Sequence, residues 1–313
     1  MTTKFYMGCI PSEPDSRDYE AKDHISMGVC PAEYMPKYLA PTLSQGEVSS
    51  CVAHALATLK YYQEQRERGF STELSTDFIY HNRQAGQYQG EGMQTREAVA
   101  NVCKYGTCEK SMIPTNTEYP NPAAKAKIAA YAEKALEYSG LQYVRCRTMD
   151  EIKEAIFQHG GVMLSLAVYP RFMAYNCLMH NYKEIPVIEP RRDGEQYMGS
   201  HAVCAMGYTE KGIVIQNSWG ADWGLSGFAI LPWDYVIQEG WTIMDSKKQW
   251  DIAEFTIGDC EYTVNGVKNE IDVAPVILNG RTMLPIRAFE AVFGCEIEWK
   301  PDEQKVIVRK EVK

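Results

Sequence analysis

The chain lacks any apolar run long enough to cross a bilayer. Its first residues, Met1-Thr2-Thr3-Lys4-Phe5-Tyr6, lack the apolar core of a secretory signal. It also lacks an excess of positive charge: 32 Lys and Arg stand against 41 Asp and Glu, a net charge of -9. No basic field is therefore present to hold phosphate backbones, which argues against nucleic acid as a partner and disfavours acidic substrates. Regular cysteine spacing is missing too. The 10 cysteines are scattered through 313 residues, unlike a small disulfide scaffold, and are expected to be mostly buried thiols. Cys103 and Cys108 would make half a zinc site, but no matching Cys/His pair follows, so no metal and no cofactor are expected. These absences predict a soluble protein without a membrane span and leave its compartment open.

What is present is ordinary globular composition, 45% hydrophobic and 23% charged, enough for one large core and a smaller second domain. Residues 1 to about 34 carry Pro11, Pro14, Asp15 and Pro31 without sustained periodicity, and read as an extended leader draped on a domain. A helix is predicted from Ser50 to Gly69, with Ser49 or Ser50 as cap, Leu56 and Leu59 at helical spacing and Gly69 closing it. Further helices fit Ala123 to Tyr138 and Asp150 to Gln158. Gly160-Gly161 then breaks into a strand from Val162 to Val168. Ala202 to Tyr208 and Ile213 to Gln216 read as strands joined at Glu210-Lys211-Gly212. Helices first and strands later predict an α+β fold of two unlike lobes.

A boundary is expected near residues 248 to 258, giving a large domain over 35–247 and a small domain over 259–313. In the latter, Asn265-Gly266 and Asn279-Gly280 are hairpin signals, Pro285 to Phe293 reads as a helix stopped by Gly294, and strands follow at Glu296 to Trp299 and Lys305 to Arg309 around the turn Pro301-Asp302.

Cys51 falls at the first turn of a predicted helix, where free N–H groups and the helix dipole favour an anion and lower a thiol pKa. Around it, Gln45-Gly46-Glu47-Val48-Ser49-Ser50-Cys51 resembles the nucleophile segment of the papain family. Gly199-Ser200-His201-Ala202-Val203, followed by Asn217-Ser218-Trp219-Gly220 through to Phe228, resembles that family's histidine and asparagine blocks, in the same order. The resemblance implies a two-lobed cysteine peptidase with a helical lobe and a β-barrel-like lobe, in which Cys51 is the nucleophile, His201 its base, Asn217 the orienter of that base and Gln45 an oxyanion donor, with Trp219 covering the His201–Asn217 bond. His54, one helical turn after Cys51, competes for the base role but would point along the helix.

Leu74-Ser75, Gly90, Gly92, Arg96 and Tyr105 to Glu109 extend the resemblance towards bacterial and viral branches. By analogy Gly92 would pair with substrate backbone, with Met93 and Gly199 near a side-chain pocket; a Met93 that merely packs in the core is the competing reading. Val48 and Val52 stand where many members have a cysteine and a tryptophan, so the family's first disulfide cannot form. The leader is far shorter than a long helical propeptide, and Ile10 to Tyr19 resembles the short N-terminal segment of bacterial members. Residues 1 to about 34 are expected to lie across the cleft as an inhibitory leader, released by proteolysis near Met35, with Cys9 close enough to cap Cys51 as a disulfide.

The last 55 residues or so resemble the stalk domain of Gram-positive surface proteins that is similar to the copper amine oxidase N-terminal domain, through Val264-Asn265-Gly266, Ala274-Pro275-Val276, Asn279 to Phe289 and Gly294 to Trp299. Copper is not implied, since no histidine follows His201 and Cys260 and Cys295 alone make a poor site. The expected partner of that unit is a cell envelope, hinting at a secreted or surface location. The expected function is endopeptidase action on peptides or proteins through an acyl-enzyme. Transpeptidation, cell-wall amide hydrolysis, or a catalytically silent binding module are the alternatives.

Overall fold

The computed structural model describes residues 6–69, 71–84, 90–175, 183–244, 253–264, 267–293, 295–303 and 305–310. The chain divides into two compact units, Met1–Lys248 and Gln249–Lys313.

The first unit opens with a two-residue strand, β1 (Cys9–Ile10), and a single turn of helix, α1 (Ala21–His24). Then comes α2 (Cys51–Arg68), bounded as its punctuation predicts: Ser50 precedes it, and Gly69 closes it in the left-handed region at φ 74° with its N–H on the Gln65 carbonyl. The Ser50 hydroxyl does not cap the helix. It meets His54 Nδ1 at 3.2 Å instead. So deeply is α2 buried that its Lys60 ammonium is fully enclosed, with Glu64 Oε1 3.4 Å away. After it follow α3 (Thr76–His81), β2 (Met93–Gln94), α4 (Thr95–Tyr105) and α5 (Pro122–Ala135), the last continued by a 3-10 turn to Tyr138. Of these, α3 and α4 were not anticipated.

The rest of the unit is β3 (Gln142–Cys146), α6 (Met149–His159), β4 (Val162–Val168), α7 (Pro170–Met173), β5 (Gly199–Thr209), β6 (Gly212–Gln216), β7 (Phe228–Leu231) and β8 (Ile237–Met244). Its six longer strands form one antiparallel sheet in the order β3-β8-β4-β5-β6-β7. Alternation places Met163, Ala202 and Cys204 in the core shared with α2, while Leu164, Val203 and Ala205 face the core shared with α6. The sheet is thus covered on both faces, and its strands read as nearly continuous apolar runs. A bulge between Ser165 and Leu166 and another between Ala205 and Gly207 bend the central strands.

Residues 12–34 run along this sheet rather than lying free. Ala21 and Ile25 belong to the α6-side core, the Arg145 N–H donates to the Tyr19 carbonyl, and Tyr34 exchanges both backbone bonds with Tyr208. Among the described residues of the expected leader, 6–10 enter the cleft region and 12–34 form a docked stretch.

In the second unit, β9 (Ala253–Phe255), β10 (Glu261–Val264) and β11 (Val267–Glu270) form a sheet in the order β11-β10-β9. The β10–β11 register is closed by Val264 opposite Val267, its Asn265-Gly266 turn lying outside the described residues. The expected hairpin, helix and hairpin follow as β12 (Val276–Leu278) with β13 (Arg281–Met283), α8 (Ala288–Phe293), and β14 (Cys295–Lys300) with β15 (Lys305–Lys310). Asn279 and Gly280 both have positive φ, 51° and 73°, as a two-residue hairpin turn requires. The helix is shorter than the sequence pattern and starts at Ala288; Gly294, its expected stop, lies outside the described residues. Among the described residues, no helix is long and apolar enough to cross a membrane.

Candidate active site

Cys51 begins α2, His201 lies on β5, and Asn217 follows β6 directly. The packing of α2 on the sheet brings these segments together, so that backbone N–H groups of Ala202, Gly8 and Val52 face the Cys51 sulfur. His201 Nε2 lies 2.7 Å from Asn217 Oδ1, which also accepts the Ser218 N–H at 2.8 Å. With Oδ1 acting as acceptor, the imidazole N–H must be on Nε2. Nδ1 then carries the lone pair. It is buried and has no hydrogen-bond partner among the described residues. Trp219 stacks on the ring with centroids 4.4 Å apart and Phe172 packs edge-on at 6.1 Å, so the Nε2–Asn217 bond is shielded from water.

Gln45 is held at both ends. Its Oε1 accepts from the Ser218 hydroxyl at 2.7 Å and its backbone N–H donates to the Ser218 carbonyl. The orientation of the amide is therefore set, and Nε2 donates to Val48 O at 2.8 Å and Tyr6 O at 3.0 Å. Ser218 lies inside the recognised Asn-Ser-Trp run, yet nothing in the sequence pointed to it as the link between Gln45 and Asn217.

His54 does not reach across the cleft. Its Nδ1 is 3.0 Å from the Ser50 carbonyl oxygen, one turn back on its own helix.

The strand through the cleft comes from the N-terminus of the chain. Tyr6 presents its carbonyl to Gln45, Met7 packs beside Gly199, and the Gly8 N–H points at Cys51 Sγ from 3.3 Å. The Gly8 carbonyl then accepts from Met93 N at 2.8 Å, and Cys9–Ile10 pairs in parallel with Met93–Gln94. Gly92, Met93 and Gly199 line this strand, but the backbone pairing expected of Gly92 falls to Met93, since the Gly92 N–H donates to the Tyr80 hydroxyl and its carbonyl accepts from Arg83. A Cβ on Gly92 would lie 2.9 Å from the Gly8 oxygen, so the glycine is what permits the approach. The Met93 side chain is buried in the core, and its contribution to the strand is its backbone. Cys9 is not disulfide bonded to Cys51; its thiol donates to Ser165 Oγ at 3.2 Å.

Burial sets the charge state of the pair. Burial raises the Cys51 thiol pKa, against the pull of four backbone N–H groups, and burial lowers His201 to about 4. Both shifts favour the neutral thiol and neutral imidazole at pH 7. Among the described residues no group of three or more His, Cys, Asp or Glu is placed to hold a metal ion.

A helix beginning at a cysteine, packed on a sheet that carries a histidine and an asparagine, defines the architecture of papain-like thiol hydrolases. The chain belongs to the papain family of cysteine proteases, whose profile matches residues 33–239, and it is a hydrolase of that class. Residues 241–308 match the copper amine oxidase N-terminal domain. An uncharacterised peptidase C1-like protein of Acanthamoeba polyphaga mimivirus is 28% identical over 80% of this chain and 87% of its own length. Among solved structures, xylellain, a cysteine protease from Xylella fastidiosa, superposes with a TM-score of 0.65 at 22% identity, over 79% of this chain and 100% of its own. Digestive procathepsin L 3 of Tenebrio molitor larval midgut gives 0.56 at 16% identity, over 72% of this chain and 76% of its own.

Proposed function

We propose that the chain hydrolyses peptide bonds through a Cys51 thiolate and an acyl-enzyme, and that it is made in a latent form with residues 6–10 in the substrate cleft. The observation that carries this reading is the Tyr6 carbonyl on Gln45 Nε2, beside a sulfur that the same strand covers. A peptide carbonyl thus already occupies the position where an oxyanion donor would act.

In the open enzyme, His201 Nδ1 takes the Cys51 proton, the sulfur attacks the scissile carbonyl carbon, and the oxygen gathers charge towards Gln45 Nε2 and the Cys51 N–H. His201 then returns the proton to the departing amine. Water, deprotonated by the same nitrogen, releases the acyl group. The Asn217 bond keeps the ring aimed and, whenever the imidazole is neutral, leaves Nδ1 as its basic nitrogen. The resident strand escapes cleavage because the sulfur meets the Gly8 amide nitrogen, whereas the carbonyl on Gln45 belongs to Tyr6.

Readmitting water reverses the burial that holds both groups neutral, so the thiolate–imidazolium pair becomes accessible once the strand leaves. We read residues 259–313 as a spacer or envelope-attachment module outside this chemistry. Profiling a peptide library with the leader-displaced protein and its Cys51→Ser variant tests the reading. Cysteine-dependent products are expected, and identical digestion by both proteins would refute it.

A further inference from the structure

We propose that Arg83, seated on Tyr80, is a positioning residue that holds the Gly92–Met93 peptide group in the orientation that receives an incoming backbone. This deepens the peptidase reading and rests on it for its substrate.

The segment that receives the leader strand has little means of holding itself. Gly90 and Gly92 both sit at positive φ, 76° and 94°, and glycine loses more conformational entropy on ordering than any other residue. Its order is imposed from outside. The Gly92 N–H donates to the Tyr80 hydroxyl at 3.1 Å, and the Gly92 carbonyl accepts from Arg83 Nη1 at 2.6 Å. The same Nη1 reaches the Gly90 carbonyl at 3.2 Å. Arg83 is itself fixed: Nε donates to the Tyr80 carbonyl at 2.6 Å, Nη2 donates to the Tyr119 hydroxyl at 3.2 Å, and the guanidinium lies 3.9 Å over the Tyr80 ring.

The consequence follows from peptide planarity. The Gly92 C=O and the Met93 N–H belong to one peptide group and point in opposite directions across it. Arg83 grips the oxygen side. From the other side the Met93 N–H donates to the Gly8 carbonyl at 2.8 Å, the bond that docks the resident strand. A cation on the oxygen therefore fixes the direction of the donor and polarises it, since linked hydrogen bonds strengthen one another in a low-dielectric site. Any peptide that pairs with Met93 meets a donor aimed in advance, which lowers the cost of ordering on binding.

The experiment uses full-length protein carrying Arg83→Ala or Arg83→Lys, with two readouts. In the otherwise native chain, iodoacetamide labelling of Cys51 reports how firmly the leader strand is held; Arg83→Ala should accelerate it about tenfold, and Arg83→Lys should fall between. In a Gly8→Val background, in which the strand is displaced, KM for an extended peptide should rise about tenfold while kcat stays within about twofold. Unchanged labelling and unchanged KM would overturn the proposal, as would a fall in kcat alone. A Gly8→Val chain that cleaves no peptide would defeat the peptidase reading and leave the labelling readout to decide this one. Should Arg83→Ala not fold, Tyr80→Phe removes only the hydroxyl that accepts the Gly92 N–H, and a smaller change in the same direction is expected; no change would count against the proposal.

Discussion

The Gly8 amide nitrogen stands 3.3 Å from the Cys51 sulfur, and Gly8 has no room for a side chain. A Cβ there would lie 1.9 Å from the Ser49 carbonyl oxygen, a backbone atom at the entry to α2 that cannot step aside. The glycine is therefore what allows the strand to lie flat on the Cys51 sulfur. Gly8→Val should expel residues 6–10, raising both the iodoacetamide reactivity of Cys51 and peptidase activity by at least about tenfold. Mass mapping after brief exposure identifies the labelled thiol. Slow labelling in both proteins, or preferential labelling of another cysteine, would show that the strand is not the cover.

In that open background, His201→Ala should abolish turnover, since the proposed chemistry needs a base to take the thiol proton. Asn217→Ala should leave measurable activity, because the imidazole survives and only its aim and tautomer are lost. Gln45→Ala should lower kcat about 100-fold with a smaller effect on KM, the signature of a donor that acts on developing charge. Steady-state kinetics on one fluorogenic peptide separates the three. Wild-type rates for His201→Ala would end the mechanism.

Three imidazoles give the stability a defined acid edge. Burial lowers His54, His81 and His201 to about 4, whereas an unfolded histidine titrates near 6.5. Between these values the unfolded chain binds more protons, so folding stability is complete above pH 6.5 and falls as the pH drops towards 4. Below that the leader's carboxylates take over. Burial raises the Asp18 pKa, but Arg96 and Arg145 outweigh it; Arg147 lowers Glu20. Their contribution is lost as the pH falls below the ordinary carboxylate range. Thermal midpoints measured from pH 7.5 to 4 should fall by on the order of 10 °C, with most of the loss below pH 6.5. A flat profile down to pH 4.5 would mean that these rings are not enclosed as described.

Much of the candidate site could be read from the sequence because its residues stand in short runs. Cys51 after Ser50, His201 after Gly199-Ser200, and Asn217-Ser218-Trp219 each carry local spacing, as do α2 and β4, whose ends are marked by Gly69 and Gly160-Gly161. Other features have no local mark. The strand Cys9–Ile10 exists only because Met93–Gln94 lies beside it, and no residue between Thr3 and Pro11 alternates in a way that announces it. Ser165 and Glu239, which receive Cys9 and Ser12, are polar residues inside apolar strands. Their partners come from a distant segment, which periodicity cannot supply. Arg83 was invisible for the same reason: what it holds is backbone, and the backbone of glycine has no sequence signature beyond glycine itself.

The place where a cut would free the cleft strand follows from how unevenly residues 6–34 are held. Residues 6–10 are attached through Tyr6 to Gln45, Gly8 to Cys51 and Met93, and Cys9 to Ser165. Residues 12–34 are fastened far more heavily. The Ser12 N–H donates to Glu239, Asp18 is clasped by Arg96 at 2.6 Å and Arg145 at 3.1 Å, and Glu20 pairs with Arg147 at 2.5 Å. The Asp18 side chain is only 2% exposed, so its pairs are screened far less by solvent than surface ones. Ala21 and Ile25 add core burial, and Glu154 accepts the N–H groups of Val29 and Cys30. A nick near Met35 would leave this whole segment bound and the cleft strand still joined to it. A cut between Ile10 and Ser12, where the Ile10 side chain is exposed, severs the strand from its anchor. Engineered protease sites at the two positions, each cleaved to completion, should therefore differ: cleavage after Ile10 should activate the protein and release the short N-terminal peptide. Cleavage after Met35 should give a nicked complex that stays latent and migrates as one species under native conditions. Equal activation at both sites would show that residues 12–34 do not anchor the strand.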